Sequence, residues 1–534
     1  MLFLTGEQVG DREETEPYES QIHDPENCEY CINDPNSFTY KKNKRMRTFD
    51  KLSSLTILVS LFMAGVNYGC STASAEASEK GTTLQEDRAE ALYNQYCATC
   101  HGTDLRGGNA QSLLDGVWQF GDGRGYVSRN IKFGIPHLGM PSYESSLNDE
   151  EIGLLVDYLY DAQAEAGVVK PDPPEKLESI DYTIKTEIWV DNLDIPWAIV
   201  FLDKDTALIT ERPGNLRVVV RGELIKVPVS GTPDVLHEGQ GGLLDVNIDP
   251  DYQKNRWIYL SYSHQIAQRP GEERPPAMTR IVRGRIRDMH WVDEQLVYEA
   301  PHETYRTTRH HYGNRIVFDQ KGYLYFSIGD RGAQDQAQDP GRPNGKIHRI
   351  WPDGSVPGDN PFREQGLPTL YTLGNRNPQG LSVHPETDEI WAAEHGPLGG
   401  DELNLIKKGV NYGWPVITYG RNYNGSTITE FTRKEGYAQP ILYWKPSTAV
   451  CGIEFYRGEA FSKWKNSLLV GALKYEDVRL LNIEGDRVMH QEVILKNYGR
   501  VRDVGLDPEG NVYVVVNRPD RIIRLSPLAE RTGQ

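Results

Sequence analysis

Cys97-Ala-Thr-Cys100-His101 places two thiols three positions apart, with an imidazole directly after the second. This pattern suits covalent haem attachment: the thiols add to the two vinyl groups and His101 then sits beneath the iron as proximal ligand. A second axial ligand is expected downstream. Met140, in Leu138-Gly-Met-Pro-Ser142, suits that position, and His137 competes with it because imidazole also ligates iron. A zinc knuckle is the plain alternative. It wants a second Cys or His pair at regular spacing, and none follows.

The elements needed to hold such a group are legible around it. Thr83-Leu-Gln-Glu86 reads as a capping box opening a helix on which Ala89, Leu92, Tyr93 and Tyr96 recur at helical spacing. Asn148 with Glu151 opens another, with Ile152, Leu155, Val156 and Leu159 on one face. A helix before the attachment motif and a helix after the methionine loop is how small cytochromes c are built. A cytochrome c domain is therefore expected over residues 82–165.

The chain of 534 residues is long enough for more than one domain, and its net charge of −18 argues against a nucleic-acid partner. Six cysteines, two of them committed to haem, leave no disulfide framework, and Cys28-Glu-Tyr-Cys31 lacks a following histidine. Lys42 to Arg47 is basic, and Leu55 to Val66 is apolar but too short for a stable anchor. Ala73-Ser-Ala75 then offers a cleavage site. Residues 46–75 thus read as a secretory signal, with 1–45 an unstructured extension or a misassigned start before Met46. Cleavage would leave no membrane span in the mature protein, although Cys70 in a poor lipobox competes as a lipidation site. Haem attachment outside the cytoplasm agrees with a periplasmic or secreted location.

Val169-Lys-Pro-Asp-Pro-Pro-Glu175 is a proline-rich spacer, set within residues 166–181. Extended at roughly 3.1 Å per residue, about fifteen residues reach on the order of 45 Å. Beyond it helical periodicity gives way to short alternating strands separated by Gly, Pro, Asn and Asp. A turn cluster leads six times into a strand of aromatic and β-branched residues: Ala207–Glu211, Trp257–Ser263, Tyr323–Asp330, Glu389–Gly396, Ser467–Lys474 and Asn511–Asn517. The repeats lie 44 to 78 residues apart, enough for one four-stranded blade each. The expected fold is multidomain: a small all-α cytochrome c domain followed by an all-β six-bladed β-propeller over 182–528. A β-sandwich is the runner-up, but it leaves the recurring turn-strand unit unexplained.

Asp330, His395-Gly396 and Lys474 occupy matching positions in three repeats, so equivalent repeats would bring them to one face. His311, Arg376, Asn377, Gln379, Arg500 and Arg502 fall near repeat boundaries. Singly, each reads as a solvated loop residue. Together they describe a basic pocket in an acidic protein, which points to a polyanionic ligand.

His311-Tyr-Gly-Asn-Arg315, Ile328-Gly-Asp-Arg-Gly332, Leu373-Gly-Asn-Arg-Asn-Pro-Gln-Gly380, Glu394-His-Gly-Pro397 with Asp401-Glu402, Asn411-Tyr-Gly-Trp-Pro415, Gly471-Ala-Leu-Lys474 and Arg500-Val-Arg-Asp503 resemble, in order, the soluble PQQ-dependent glucose/aldose sugar dehydrogenases (glucose/sorbosone dehydrogenase type). The resemblance covers roughly Tyr182 to Pro527. It implies pyrroloquinoline quinone, a tricarboxylate ortho-quinone. Lys474, Arg500 and Arg502 would bind its carboxylates, with Arg376, Asn377 and Gln379 around the quinone and Gln240 as a weaker match. It also implies calcium on the backbone carbonyls of Gly396 and Pro397, which are hard oxygen donors. Asp401, Glu402 and Tyr412 resemble a further structural calcium site.

By the same resemblance His311 is the general base for the sugar C1 hydroxyl, Asp330 orients its ring, and Arg376 stabilises charge on the quinone oxygen. Trp444 is a candidate to stack on cofactor or sugar, against the ordinary reading of a core tryptophan. His310 stands where some relatives have an acidic residue, the loops read as shorter than in glucose-preferring secreted enzymes, and the simplest members lack a cytochrome. The expected activity is aldose oxidation at C1, with electrons passed to the fused c-type haem and on to an acceptor such as a cytochrome or oxidase. Three rivals remain: a same-fold dehydrogenase of another aldehyde or alcohol such as sorbosone, a non-catalytic propeller that only binds, and a plain haem electron carrier with a binding domain.

Overall fold

The computed structural model describes residues 85, 87–116, 118, 124–136, 139–167 and 172–531. Residues 1–45, the signal over 46–75, Cys28, Cys31, Cys70, Thr83, Glu86 and His137 lie outside them.

The first module is helical: α1 (87–96), α2 (Ala98–His101), α3 (Arg124–Phe133) and α4 (Asp149–Ala166). Asn148 caps α4 by accepting from the Glu151 amide at 2.9 Å, and the Glu151 carboxylate accepts from the Asn148 amide at 3.1 Å. Three acids in its first turn suit the positive end of the helix. Ile152, Leu155, Val156 and Leu159 bury one face of α4 against Tyr93, Val127 and Ile131. Fully burying each such aliphatic side chain contributes about 1.5–3 kcal/mol.

The second module is built of six sheets. Blade one holds β3 (Pro196–Phe201), β4 (Thr206–Glu211), β5 (Leu216–Val220) and β6 (Glu223–Leu224). Blade two holds β7 (Leu243–Ile248), β8 (Ile258–Gln265), β9 (Ala277–Arg287) and β10 (His290–Glu299). Blade three holds β11 (Ile316–Phe318), β12 (Leu324–Ile328) and β13 (Lys346–Ile350). Blade four holds β14 (Pro378–Val383), β15 (Ile390–Glu394), β16 (Asp401–Ile406) and β17 (Leu442–Trp444). Blade five holds β18 (Val450–Phe455), β19 (Leu468–Ala472), β20 (Asp477–Glu484) and β21 (Arg487–Lys496).

Blade six is closed from both ends of the module. β22 (Arg500–Leu506), β23 (Val512–Asn517) and β24 (Arg521–Glu530) are completed by β2 (Tyr182–Val190), with β1 (Lys176–Glu178) at the edge. The first strands β3, β7, β11, β14, β18 and β22 contact one another in a closed cycle, so the sheets form a ring around one axis. This is the expected six-bladed propeller, with one difference: the fourth position of blade three is reduced to a bridge between His348 and Leu370.

Each of the six strands read from the sequence is the second strand of its blade. These strands are buried on both faces, so their apolar runs are nearly continuous; β23 is buried at every residue. The turns before them are locked by their own side chains. Asp507 accepts from the amides of Glu509 and Asn511, both at 2.9 Å, and from the Tyr513 hydroxyl at 3.1 Å. Asp319 repeats the arrangement with Lys321, Tyr323 and Tyr325, and Asp249 with Asp251 and Tyr259.

The expected spacer over 166–181 is shorter in the structure. Residue 166 ends α4, Lys176–Glu178 pair with β2, and Asp172 meets Arg521 at 2.5 Å. Thr186 also donates from its amide to the Glu175 carbonyl at 3.0 Å. Residues 172–178 are therefore bound to blade six. Residues 168–171 lie outside the described residues.

Candidate active site

In the helical module the two thiols are unpaired, and Cys97 is buried enough that its thiol is pushed up to about 11. His101 Nδ1 lies 2.8 Å from the Gln111 carbonyl. An imidazole meeting a carbonyl must donate, which fixes the proton on Nδ1 and leaves Nε2 as a lone-pair donor. That is the second contact iron-bound histidines use to hold their orientation. Met140 is tied back to Ile135 by two backbone hydrogen bonds and packs on the same core as Cys97. The residue set fits a haem.

In the propeller, Asp330 lies two residues beyond β12, Gly396 two beyond β15 and Lys474 two beyond β19. The equivalence read from the repeats thus sets them on one rim. The first strands supply the rest through bulges. Ladder pairing slips between Pro196 and Ala198, Pro378 and Gly380, Val450 and Ile453, and Val501 and Asp503. The residues inside these slips include Trp197, Gln379, Cys451 and Arg502. A bulge re-aims the side chain it adds, which is why bulges gather beside active sites.

His311 Nδ1 stands 2.7 Å from Asp330 Oδ1, with the histidine side chain 15 % exposed and the aspartate 1 %. A carboxylate only accepts, so the proton is on Nδ1 and Nε2 is left as the basic atom. Burial, and then the Arg376 charge, hold the imidazole below its ordinary range; Asp330 opposes them without winning. Asp330 is pushed down to about 2: burial acts against its charge, but His311, Arg376 and the Gly332 amide outweigh it. His310 packs edge-on to His311, ring centroids 4.6 Å apart, and burial pushes it down to about 4. It is neutral near pH 7 and adds no charge to the base.

The backbone carries the cost of this placement. His311 has φ +56°, a conformation rarely adopted by side-chain-bearing residues, and its carbonyl would stand 2.4 Å from any Cβ added at Gly329. Gln240 receives the His311 amide at 2.9 Å. Arg376 accepts from the Asp330 amide through its carbonyl at 2.7 Å, and Asn377 receives the Gly313 amide at 3.1 Å.

The cationic side is formed by Arg502 and Arg500, beside Arg376 and His395; Lys474 lies exposed on the same rim. Arg502 donates to Gln379 Oε1 at 3.0 Å and touches Cys451 Sγ at 3.4 Å. Burial and the neighbouring Arg502 push Arg500 down to about 10. Buried Nε atoms of Arg376 and Arg502, and Nε2 of His395, have no hydrogen-bond partner among the described residues. Cationic groups held together with unsatisfied N–H groups fit a polycarboxylate ligand.

The expected metal ligands separate into two sets. Gly396, Pro397, Glu402 and Tyr412 border one cavity of about 10 Å³, together with Glu394. Glu394 and Glu402 pair across β15 and β16, the first buried and the second half-buried, and desolvation pushes them up to about 7 and 8. Two desolvated carboxylates bordering one cavity suit a cation, although no group of three or more His, Cys, Asp or Glu converges among the described residues. Arg376 Nη1 takes the Gly396 carbonyl at 2.9 Å, and Ser447 takes that of Pro397 at 3.0 Å.

Asp401 departs from the expected donor role. Its carboxylate accepts from the Gly396 and Ala449 amides at 2.9 and 2.6 Å, clamping the loop in place. The Tyr412 phenol donates to the Leu405 carbonyl and accepts from the Lys407 amide. Trp444 is corrected too: it sits on the outermost strand of blade four, 6 % exposed, within the core between blades four and five. The tryptophan at the site is Trp414, whose indole donates to Asp330 Oδ2 at 2.8 Å. Trp414, Cys451 and Glu394 escaped the reading as site residues, though Trp414 and Glu394 lie inside quoted motifs.

Residues 193–524 match the sequence profile described as glucose / sorbosone dehydrogenase. The chain belongs to that family. Residues 85–159 match the profile described as cytochrome C oxidase, cbb3-type, subunit III, so this family member carries a cytochrome c domain at its N-terminal side. It is 40 % identical over 354 residues to the aldose sugar dehydrogenase YliI of Escherichia coli, covering 65 % of this chain and 93 % of that one. It is 26 % identical over 411 residues to quinoprotein glucose dehydrogenase B of Acinetobacter calcoaceticus, covering 62 % and 84 %. Among solved structures, the apo form of the E. coli aldose sugar dehydrogenase aligns with TM-score 0.60 at 37 % identity, over 65 % of this chain and 100 % of that one. The PQQ-bound aldose sugar dehydrogenase of Streptomyces coelicolor aligns with TM-score 0.51 at 26 % identity, over 66 % and 99 %. No helix among the described residues is long and apolar enough to cross a membrane.

Proposed function

We propose that this sugar dehydrogenase oxidises aldoses at the anomeric carbon, with PQQ as hydride acceptor, and passes the electrons to its own c-type haem. The observation that carries the reading is the His311–Asp330 pair facing Arg376 on the rim that also holds Arg500, Arg502 and Lys474. His311 Nε2 takes the proton of the C1 hydroxyl. Asp330 keeps the ring in the tautomer that leaves Nε2 free and stabilises the imidazolium that forms. Arg376 supplies a fixed positive charge beside the base.

PQQ, when bound, supplies a quinone that accepts two electrons from the substrate carbon. Lys474, Arg500 and Arg502 would hold its carboxylates, with Asn377, Gln379 and Gln240 completing the polar lining. Calcium would be held by Glu402 with the carbonyls of Gly396 and Pro397, and Glu394 beside it, supplying Lewis acidity. The PQQ-bound relative from S. coelicolor and the aldose-oxidising relative from E. coli support this choice of cofactor and substrate class.

His101 and Met140 would be the axial ligands and Cys97 and Cys100 the attachment points of the haem. A periplasmic or secreted location follows from the leader-like residues 46–75 and the demand of haem attachment. A soluble cytochrome or an oxidase then receives the electrons. The test is reconstitution with PQQ and calcium, followed by assays on a panel of aldoses and sorbosone. Aldose-dependent dye reduction is expected; turnover confined to sorbosone or to simple alcohols overturns the substrate assignment.

A further inference from the structure

We propose that Trp414 is a positioning residue for the base: its indole N–H fixes the Asp330 carboxylate so that one oxygen alone faces His311. The catalytic meaning of this rests on the sugar-oxidation reading above, while the positioning itself is a property of the protein alone.

Asp330 divides its two oxygens. Oδ1 receives His311 Nδ1 at 2.7 Å and the Gly332 amide at 2.9 Å; Oδ2 receives Trp414 Nε1 at 2.8 Å. The main chain of Asp330 is pinned separately, its amide on the Arg376 carbonyl and its carbonyl under Asn344 Nδ2 at 2.8 Å. What remains to be set is rotation of the carboxylate about its last bond, and the indole sets it. Without that donor, Oδ2 is a charged oxygen on a side chain that is 1 % exposed, which is costly to leave unpaired.

Trp414 is itself held firmly enough to do this. Its amide donates to the Gly374 carbonyl at 2.9 Å, and its carbonyl receives Gln338 Nε2 at 2.7 Å. The Arg376 guanidinium lies 5.3 Å from its ring centre. The residue arrives from the loop after β16, 84 positions from Asp330, so the contact joins blade four to the loop that follows β12 in blade three.

The charged and titratable groups facing His311 are Asp330, Arg376, Arg331, His310 and His395. Sharing the Asp330 charge with an indole N–H weakens the pull of the carboxylate on an imidazolium. Removing the N–H concentrates that pull on His311, so the imidazolium becomes more stable and the base less available at low pH.

Trp414→Phe keeps an aromatic side chain in place but removes the five-membered ring that carries the donor. In protein carrying ¹³C-labelled histidine, with the His311 signal assigned by its loss in His311→Gln, the midpoint of His311 titration should rise by roughly half to one pH unit. The acid limb of kcat/KM should rise by the same amount in the reconstituted enzyme, with KM little changed. In an Asp330→Asn background, Trp414→Phe should add no further shift. An unmoved His311 midpoint in Trp414→Phe, alongside a moved one in Asp330→Asn, overturns the proposal. A moved midpoint in Trp414→Phe, when the reconstituted wild-type protein oxidises no aldose, supports the positioning and instead removes the functional reading.

Discussion

At the level of single residues, the base is set by competition between desolvation and charge. His311 is held below the ordinary histidine range because burial and Arg376 outweigh Asp330. A group whose folded pKa is depressed is neutral above that depressed value, so the base is ready at lower pH than a free histidine. The acid limb of kcat/KM should therefore fall below pH of about 6.5, read from initial rates across pH at subsaturating aldose. His311→Ala should lower kcat by roughly 10²–10⁴-fold while leaving quinone affinity nearly intact, measured by fluorescence titration beside steady-state kinetics. Arg502→Ala should do the reverse, weakening quinone uptake by about tenfold or more, because a buried charge partner is lost. The arginines and the His311–Asp330 pair that make up the candidate site were legible as residue types inside motifs. Trp414 was not, because a single N–H on a large apolar side chain leaves no trace in a pattern of charges.

At the level of elements, the candidate site draws on fixed points: two residues past the second strand in blades three to five, and bulges of the first strand in blades one, four, five and six. The repeating turn that launches the second strand is a stability device. Asp507→Ala should destabilise the fold by about 2–3 kcal/mol, since it strips several buried donors of their acceptor, whereas Tyr513→Phe should cost about 1 kcal/mol. Denaturant unfolding followed by tryptophan fluorescence would read both, and equal effects would show that the carboxylate is not the centre of the turn. Second strands were legible because burial on both faces gives an apolar run such as Val512–Asn517. First strands were not: β11 spans only Ile316–Phe318, and the others are interrupted by the bulges that aim Gln379 and Arg502. The spacer looked longer than it is because prolines announce extended chain without saying whether it packs. Asp172 and Lys176–Glu178 do pack, on blade six.

At the level of the whole molecule, a sugar dehydrogenase ring and a cytochrome c module share one chain, and the proposed function joins them in one electron path. His311→Ala should abolish aldose-driven haem reduction and leave reduction by ascorbate unchanged. The central claim is that the rim cations of the propeller seat a tricarboxylate quinone beside His311. The most direct measurement is titration of the purified haem-loaded protein with PQQ in the presence of calcium, followed by addition of an aldose while haem absorbance is recorded. Stoichiometric uptake of one quinone per chain and prompt reduction of the haem are predicted. A protein that takes up no quinone, or that takes it up equally well after Lys474, Arg500 and Arg502 are neutralised, would contradict the account.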